Sequence, residues 1–398
     1  MLDKASKLSS YRFDKMAAQI SHRVMPAETE VGRYVGLEHL DPESLRIRRW
    51  GDPSEVESTK LTFEPGDVIF GKRRVYQRKV AVADFHGICS AHAMVLRAKP
   101  ETVLPDFLPF FMQSDLFMER ALSISVGSLS PTINWKALAK EEFLLPPIQV
   151  QARLVETLIA AVNAQIELHR SLETLTTMNA SLLDARLRGS LLGAANRHER
   201  VGPYFEDWPL LPIGKLLTKN QYGLSVEAGS TGQYPMLRMM NMEDGRVVEN
   251  DLKYIDLSDG EFEKYRLFDG DILFNRTNSF DLVGRTGVYH LGAEHVFASY
   301  LVRLQTYREK LDPEYLCAFL NAHIGRRQVM SFATRGVSQT NVNASNLTRI
   351  LLPLPPISFQ RETVEFIREC HAASSRLTQR IKSLGQIISE VTKQGISE

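Results

Sequence analysis

The chain has three cysteines in 398 residues, Cys89, Cys317 and Cys370, and none lies in a Cys-x-x-Cys pair. So sparse and scattered a set offers no disulfide framework and no zinc site, and it fits a reducing compartment. Long apolar runs are missing too: no stretch approaches the roughly 20 residues that a membrane helix needs. The first sixteen residues are polar and carry no apolar core of signal-peptide length, so a soluble, cytoplasmic protein with no membrane partner is expected. Nor is there an excess of either charge, since 48 Lys and Arg face 47 Asp and Glu, a formal +1. That balance excludes a globally basic, histone-like nucleic-acid binder but not local basic surfaces. With 43% hydrophobic and 24% charged residues the chain is an ordinary globular one, long enough for two or three domains.

Catalytic signatures are absent as well. The sequence contains no Gly-x-x-x-x-Gly-Lys-Ser/Thr phosphate loop, no His-Glu-x-x-His and no Gly-x-Ser-x-Gly. It also lacks the Asn/Asp-Pro-Pro-Tyr/Phe element with which a DNA amino-methyltransferase holds a flipped base. The ten histidines show no metal-ligand spacing. Asp251-Leu252-Lys253 matches the tail of a nuclease pattern but has no Pro-Asp partner, and it reads as a solvated strand edge. Nothing assembles an active site, so no catalytic residue and no metal ligand is assigned.

What the sequence does contain is itself, twice. Gly66-Asp67-Val68-Ile69-Phe70 returns as Gly270-Asp271-Ile272-Leu273-Phe274, 204 residues later. The loop Gly127–Asn134 returns as Gly336–Asn343, now 209 residues on. Pro146-Pro147-Ile148 returns as Pro355-Pro356-Ile357, and Gln151, Val155 and Glu156 as Gln360, Val364 and Glu365, all at 209. Several matches in order at nearly one offset mark a tandem duplication with a five-residue insertion in the second copy. Each copy reads as short β-rich runs, a helical stretch (Pro105 to Ala121, Pro313 to Met330), a Gly/Ser/Asn-rich loop, and a Leu/Pro strand ending in Pro-Pro.

A long segment with no Pro and almost no Gly closes each copy. Its apolar residues recur at spacings of three and four: Leu154, Leu158, Ala161, Gln165, Leu168, Leu172, Leu175, Asn179 and Leu182 in the first, and Ile367, Cys370, Ser374, Leu377, Ile381, Leu384, Ile388 and Val391 in the second. A period near 3.5 predicts helices that pair through a narrow seam, with Gln165, Asn179 and Ser374 fixing register. A helix from Gln149 to Arg188 would be about 60 Å long. The expected fold is α+β: two mixed α/β modules joined by two long helices in an antiparallel coiled coil, a pseudo-twofold tandem repeat. The expected boundaries are 1–147 and 196–355 for the modules, and 148–195 and 356–398 for the helical regions.

Two pairs of loops carry binding chemistry. After the strand Val68-Ile69-Phe70 comes Lys72-Arg73-Arg74-Val75-Tyr76-Gln77-Arg78-Lys79, five cations in eight residues with Tyr76 and Gln77 interleaved. At the same place the second copy has Arg276, Thr277 and Asn278, less basic but rich in amide and hydroxyl groups. The Gly127 loop offers Ser128, Ser130, Thr132 and Asn134, and its counterpart Arg335, Ser338, Gln339, Thr340, Asn341 and Asn343. These residue types contact phosphates and read base edges. They are also ordinary turn residues. The charge context favours binding: Tyr315 to Arg361 holds five arginines and no Asp or Glu. Two diverged modules with such loops suit an asymmetric, bipartite target in duplex DNA, its half-sites about one turn, roughly 34 Å, or a multiple apart.

In these features the whole chain resembles the specificity subunit of type I restriction-modification enzymes. The resemblance rests on the two Gly-Asp strands, the Gly127 and Gly336 loops with Asn134 and Asn343, the Leu145-Pro146-Pro147-Ile148-Gln149-Val150-Gln151 helix start, the Leu187-Arg188-Gly189-Ser190-Leu191 helix end, and Trp208-Pro209 before the second module. The first copy lacks a Trp-Pro counterpart. The resemblance implies a non-catalytic subunit whose modules are target-recognition domains. It further implies assembly with two modification (methyltransferase) subunits and with restriction/translocase subunits, on double-stranded DNA. S-adenosylmethionine, ATP and Mg would belong to those partners, with no cofactor in this chain. Docking would use helix surface outside the seam, for instance Val155, Ile159, Val162 and Ile166. A subunit of a methyltransferase-only or fused-nuclease system shares this logic. A coiled-coil scaffold with two protein-binding modules is the alternative from another class.

Overall fold

The computed structural model describes residues 8–42, 44–336 and 339–397. Two long helices, Ile148–Arg188 and Ile357–Ser397, each of 41 residues, follow the two Pro-Pro corners. The first contains neither Gly nor Pro and stops where Gly189 takes a left-handed φ of +66°. A Cβ there would meet Phe205 at 2.7 Å, so the Arg188-Gly189 ending is a helix cap that needs glycine.

The chain divides into two compact units, Met1–Arg170 with Leu377–Glu398, and Ser171–Arg376. The division falls inside the helices, so each unit holds one globular region and half of each helix.

In the first unit, a four-stranded antiparallel sheet runs in the order Ala17–Ile20, Ala93–Ala98, Val68–Gly71, Val80–Val82. A second four-stranded sheet runs Arg23–Val24, Lys60–Phe63, Gly87–Cys89, Tyr34–Val35. Val68 and Phe70 face a core shared with Phe107, Phe111, Phe117 and Phe143. Ile69 faces a different core with Leu61 and Val95. A strand buried on both faces reads as a continuous apolar run, which is why Val-Ile-Phe does not alternate. Ser9–Arg12 pairs with Glu142–Leu145. That pairing supplies in the first copy what Trp208-Pro209 introduces in the second, where Leu210–Pro212 pairs with Leu351–Pro353.

In the second unit, Leu217–Tyr222, Leu301–Thr306, Ile272–Asn275 and Thr286–Val288 form the corresponding strands, extended by Arg246–Val247 and Met242–Glu243. Ile272 pairs with Leu304 as Val68 pairs with Leu96. The Gly-Asp turn before the strand is also built twice. Gly66 and Gly270 have φ of +91° and +79°. Buried Asp67 accepts the Glu64 amide at 2.9 Å and Arg97 Nε at 2.7 Å; Asp271 accepts the Phe268 amide at 3.0 Å and Gln305 Nε2 at 2.6 Å.

Each helical stretch expected as one piece is two helices. Phe107–Gln113 and Asp115–Ser123 break at Ser114, and Pro313–Asn321 and His323–Ser331 break at Ala322. Both break residues are extended (ψ of 154° and 160°) although neither is Gly or Pro. Ser114 Oγ caps the new helix by accepting the Phe117 amide at 3.3 Å.

The seam positions are buried or half-buried, apart from exposed Leu182. Within the first unit, the Gly395 backbone lies against Leu154, and Gln165 Nε2 donates to the Ile381 carbonyl at 3.3 Å, so these two half-helices run in opposite directions. Within the second, Arg186 stacks over Phe366 at 4.8 Å, and Leu183, Leu187 and Val364 share one core.

One glutamine fixes each long helix to its own module. Gln151 and Gln360, both essentially fully buried, make the same three hydrogen bonds. Gln151 Nε2 donates to Pro146 O at 2.9 Å and Thr102 O at 3.1 Å, while Oε1 accepts the Leu104 amide at 2.9 Å. Gln360 Nε2 donates to Pro355 O and Lys310 O, and Oε1 accepts the Asp312 amide, all at 2.9 Å. Replacing either by Leu strands one amide and two carbonyls. Gln151→Leu and Gln360→Leu are each expected to cost about 2–3 kcal/mol, read as an earlier urea midpoint for the affected unit. Unchanged midpoints would refute that role.

Candidate nucleic-acid interface

The two candidate loops of each copy are neighbours in space. In the first unit, the Ile133 amide donates to Lys72 O at 3.0 Å and the Arg74 amide to Pro131 O at 2.8 Å. In the second, the Val342 amide donates to Arg276 O at 2.9 Å. These are equivalent positions, so one backbone frame presents two different sets of side chains.

On that frame the first copy exposes Arg74, whose Nε reaches Ser130 Oγ at 3.5 Å, and Tyr76, 54% exposed. Arg74 itself has a φ of +58°, uncommon for a residue other than glycine. Ser128 and Asn134 are exposed, Gln77 and Thr132 half-buried. Between Ser128 and Ser130, Leu129 is 91% exposed, an apolar tip beside the cations.

Two cations of the run are used within the fold. Arg78 pairs with Asp115 at 2.7 Å and donates to Gln113 O at 2.6 Å. Lys79 Nζ donates to Leu37 O at 2.6 Å. They fasten the end of the loop and are not free for a ligand.

Three basic groups from elsewhere in the chain join Lys72 and Arg73 instead. Arg73 Nη1 lies 3.3 Å from His92 Nε2, in the turn between Gly87–Cys89 and Ala93–Ala98. Burial and then Arg23 lower the pKa of Lys72. Burial, Arg73, Lys72 and Lys60 in that order lower that of His92. Arg23, Lys60 and His92 are single residues with no sequence signal; only the pairing of strands gathers them.

In the second copy several expected contacts turn inward. Thr277 and Thr340 are only 5% and 4% exposed, although the register, Thr277 opposite Asn341 and Asn278 opposite Thr340, puts them on opposite faces of the short ladder: it is covered on both sides. Thr277 Oγ1 donates to Asn341 Oδ1 at 2.6 Å. Asn343 accepts Tyr222 O–H at 2.9 Å and caps the helix Ala344–Leu347 through the Ser345 amide. Asn278 Oδ1 accepts the Ser279 amide. Arg276 lies over Tyr222 at 5.0 Å, and Arg335 over Phe280 at 4.1 Å. Gln339 is exposed, and Ser338 lies outside the described residues.

The acid-free stretch is less cationic than it reads. Arg326 donates to Val283 O at 2.8 Å and Arg327 to Arg200 O at 2.7 Å. On the central helix, Val155 belongs to the core of the first unit and Val162 packs against it. The expectation that these two form a docking surface is therefore corrected: near its start the helix is embedded, and its buried stripe is wider than a seam. Ile159 is exposed and Ile166 half-buried.

A repeated β frame carrying cationic and amide-rich loops, each ending in a long helix, defines a class of tandem recognition protein. The Type I restriction modification DNA specificity domain matches the chain twice, over residues 54–176 and 212–384. The chain therefore belongs to the type I restriction-modification DNA specificity family; it is a recognition component and not an enzyme. It is 22% identical to the EcoKI specificity subunit of Escherichia coli K12, over 85% of this chain and 77% of that one. Against the StySPI specificity subunit of Salmonella potsdam it is 23% identical, over 90% and 82%. Among solved structures it resembles a chain from work on complex assembly and conformational transition of the type I R-M system, with a TM-score of 0.66 at 18% identity over 98% and 97% of the chains. It also resembles the type I S subunit of M. genitalium, with a TM-score of 0.56 at 11% identity over 100% and 98%.

The two kinds of arginine in the first loop can be separated. Arg74→Ala should leave the thermal midpoint unchanged and weaken duplex binding severalfold. Arg78→Ala should lower stability by about 1 kcal/mol through the lost carbonyl bond and ion pair. Thermal melts beside binding isotherms check both.

Proposed function

We propose that this chain reads an asymmetric, bipartite sequence in duplex DNA, one half-site per module, and brings methyltransferase and restriction subunits to it. The observation that carries this reading is the loop pairing built at equivalent positions in both units, the same in backbone and different in side chains. Lys72 and Arg73 stand in the first copy where Arg276 and Thr277 stand in the second. A constant frame places each loop alike, and the exchanged side chains let each half-site differ.

On this reading the two long helices are an antiparallel coiled coil that relates the modules by a pseudo-twofold axis and sets the spacer. Polar seam residues such as Gln165, with its bond to the Ile381 carbonyl, support a fixed register. The subunit works in the cytoplasm. Two modification subunits carry S-adenosylmethionine, and restriction/translocase subunits carry ATP and Mg. Exposed Ile159 and half-buried Ile166 remain as docking surface.

Single-molecule methylation mapping of DNA from cells expressing this chain with its methyltransferase tests the reading. Two unlike half-sites with a fixed spacer are expected; methylation without a bipartite motif would overturn it. In the purified complex, Arg73→Ala with Arg74→Ala should reduce the salt slope of binding by about 2, one per phosphate contact. An unchanged slope would remove this loop from the interface.

A further inference from the structure

The first module carries a titratable group at its cationic loop that the second lacks. His92 sits at the tip of the turn Ser90-Ala91-His92, where its amide donates to Ser90 Oγ at 3.2 Å. Its ring nitrogen Nε2 faces Arg73 Nη1 at 3.3 Å. A guanidinium only donates, so this contact requires an unprotonated Nε2, with the proton on Nδ1. The charges acting on the ring come from three places: Arg73 and Lys72 of the basic loop, and Lys60 of the strand Lys60–Phe63. All are positive. Arg23, on the neighbouring strand, adds its charge at Lys72.

The equivalent position in the second copy follows from strand register. Gly71 pairs with Ala93, and Asn275 with Leu301, so Tyr300 stands where His92 does. Tyr300 is exposed, its carbonyl accepts the Arg276 amide at 3.0 Å, and it offers no imidazole to the loop.

We infer that Arg73 and His92, flanked by Lys72 and Arg23, form a phosphodiester subsite whose occupation adds a proton to His92. Lys60, buried and bonded to Ser58, adds only its charge. An anionic phosphate oxygen between the two rings of charge accepts from Arg73 and from a protonated Nε2, which replaces the Arg73–His92 bond by two charge-assisted ones. Without the phosphate, burial and the three cations hold the imidazole pKa below its ordinary value. A bound phosphate raises it. The sign follows: binding takes up a proton, so affinity rises as pH falls between the bound and free pKa values, and is flat outside that window. The dependence belongs to the first module alone.

This inference rests on the DNA-reading function proposed above, and one experiment separates their failures. The complex of the full chain with its methyltransferase subunit is titrated with a fluorescent duplex carrying the methylation-mapped target, and with a scrambled duplex. The range runs from about pH 5.5 to about pH 8.5, bracketing the ordinary imidazole pKa. Wild-type affinity for the target should fall with rising pH, approaching about tenfold per unit at the steepest point, as one linked proton requires. His92→Gln keeps an acceptor for Arg73 but cannot titrate, and should lie at the weak, pH-independent level. His92→Lys holds a permanent charge and should bind tightly at all pH values. Equal slopes for wild type and His92→Gln overturn the subsite. No preference for the target over the scrambled duplex at any pH overturns the DNA-reading function instead.

Discussion

The bonds of a single buried glutamine, made once in each copy, hold the architecture together. Gln151 and Gln360 each join three pieces that sequence keeps apart: the Pro-Pro corner, the segment leading to the helix pair, and the first turn of a long helix. A buried amide with all its polar groups paired is directional, and nothing apolar of similar size could hold those backbone groups. Because the corner and the helix start are fixed together, the long helix leaves its module along a set line. The strands that carry the loops then pack on a helix whose position is already determined. The side chain of Gln151 bonds to Thr102 and Leu104, just before the aromatic-rich helix Phe107–Gln113 that completes the core.

Above that anchor the two copies keep backbone interactions and exchange side chains. The Gly-Asp turn is the same device twice, with a buried carboxylate satisfied by Arg97 in one copy and by Gln305 with buried Arg303 in the other. The loop pairing is likewise the same amide-to-carbonyl bond twice. Such a division is what recognition demands. Loops can vary because a rigid frame, not the loop sequence, determines where they stand. The cost appears in the loops themselves, where Arg74 and Arg78 both adopt left-handed backbone.

Much of this was legible in the residues. The 204 and 209 offsets located the repeat, the seam spacing located both long helices, and the first begins within a residue of the expected Gln149–Arg188. Other features left no mark in the sequence. The break at Ala322 occurs at a residue with no intrinsic preference for stopping a helix, and that at Ser114 at a residue type that serves caps and turns alike, with Phe111 packed on Phe117 across it. Thr277 and Thr340 look like hydrogen-bonding loop residues, and only the packing on both faces of their short ladder shows them buried. The gathering of Arg23, Lys60 and His92 depends on which strands are neighbours, and that information is non-local. Charge runs mislead for the same reason: Arg78 and Lys79 read as free cations but bond to backbone carbonyls.

That distinction between free and occupied cations bears on how near-neutrality and DNA recognition coexist. A guanidinium donating to carbonyls within the fold, as in Arg326 and Arg327, has its geometry set by the protein and few donors left. One stacked on an aromatic face, as in Arg335 on Phe280, is held flat, with its N–H edge free to turn to a ligand; Arg276, stacked on Tyr222, also donates to Ser299 O at 3.4 Å and is partly occupied. Stacking therefore preorganises a donor fork without occupying it, whereas a carbonyl bond occupies it. The first copy holds its free charges by mutual proximity in a cluster, and the second by stacking on aromatic rings. The two modules thus meet the same electrostatic requirement by different means. A total charge of +1 says little about either, because what acts on a phosphate is the small set of cations that the fold has oriented and left unpaired.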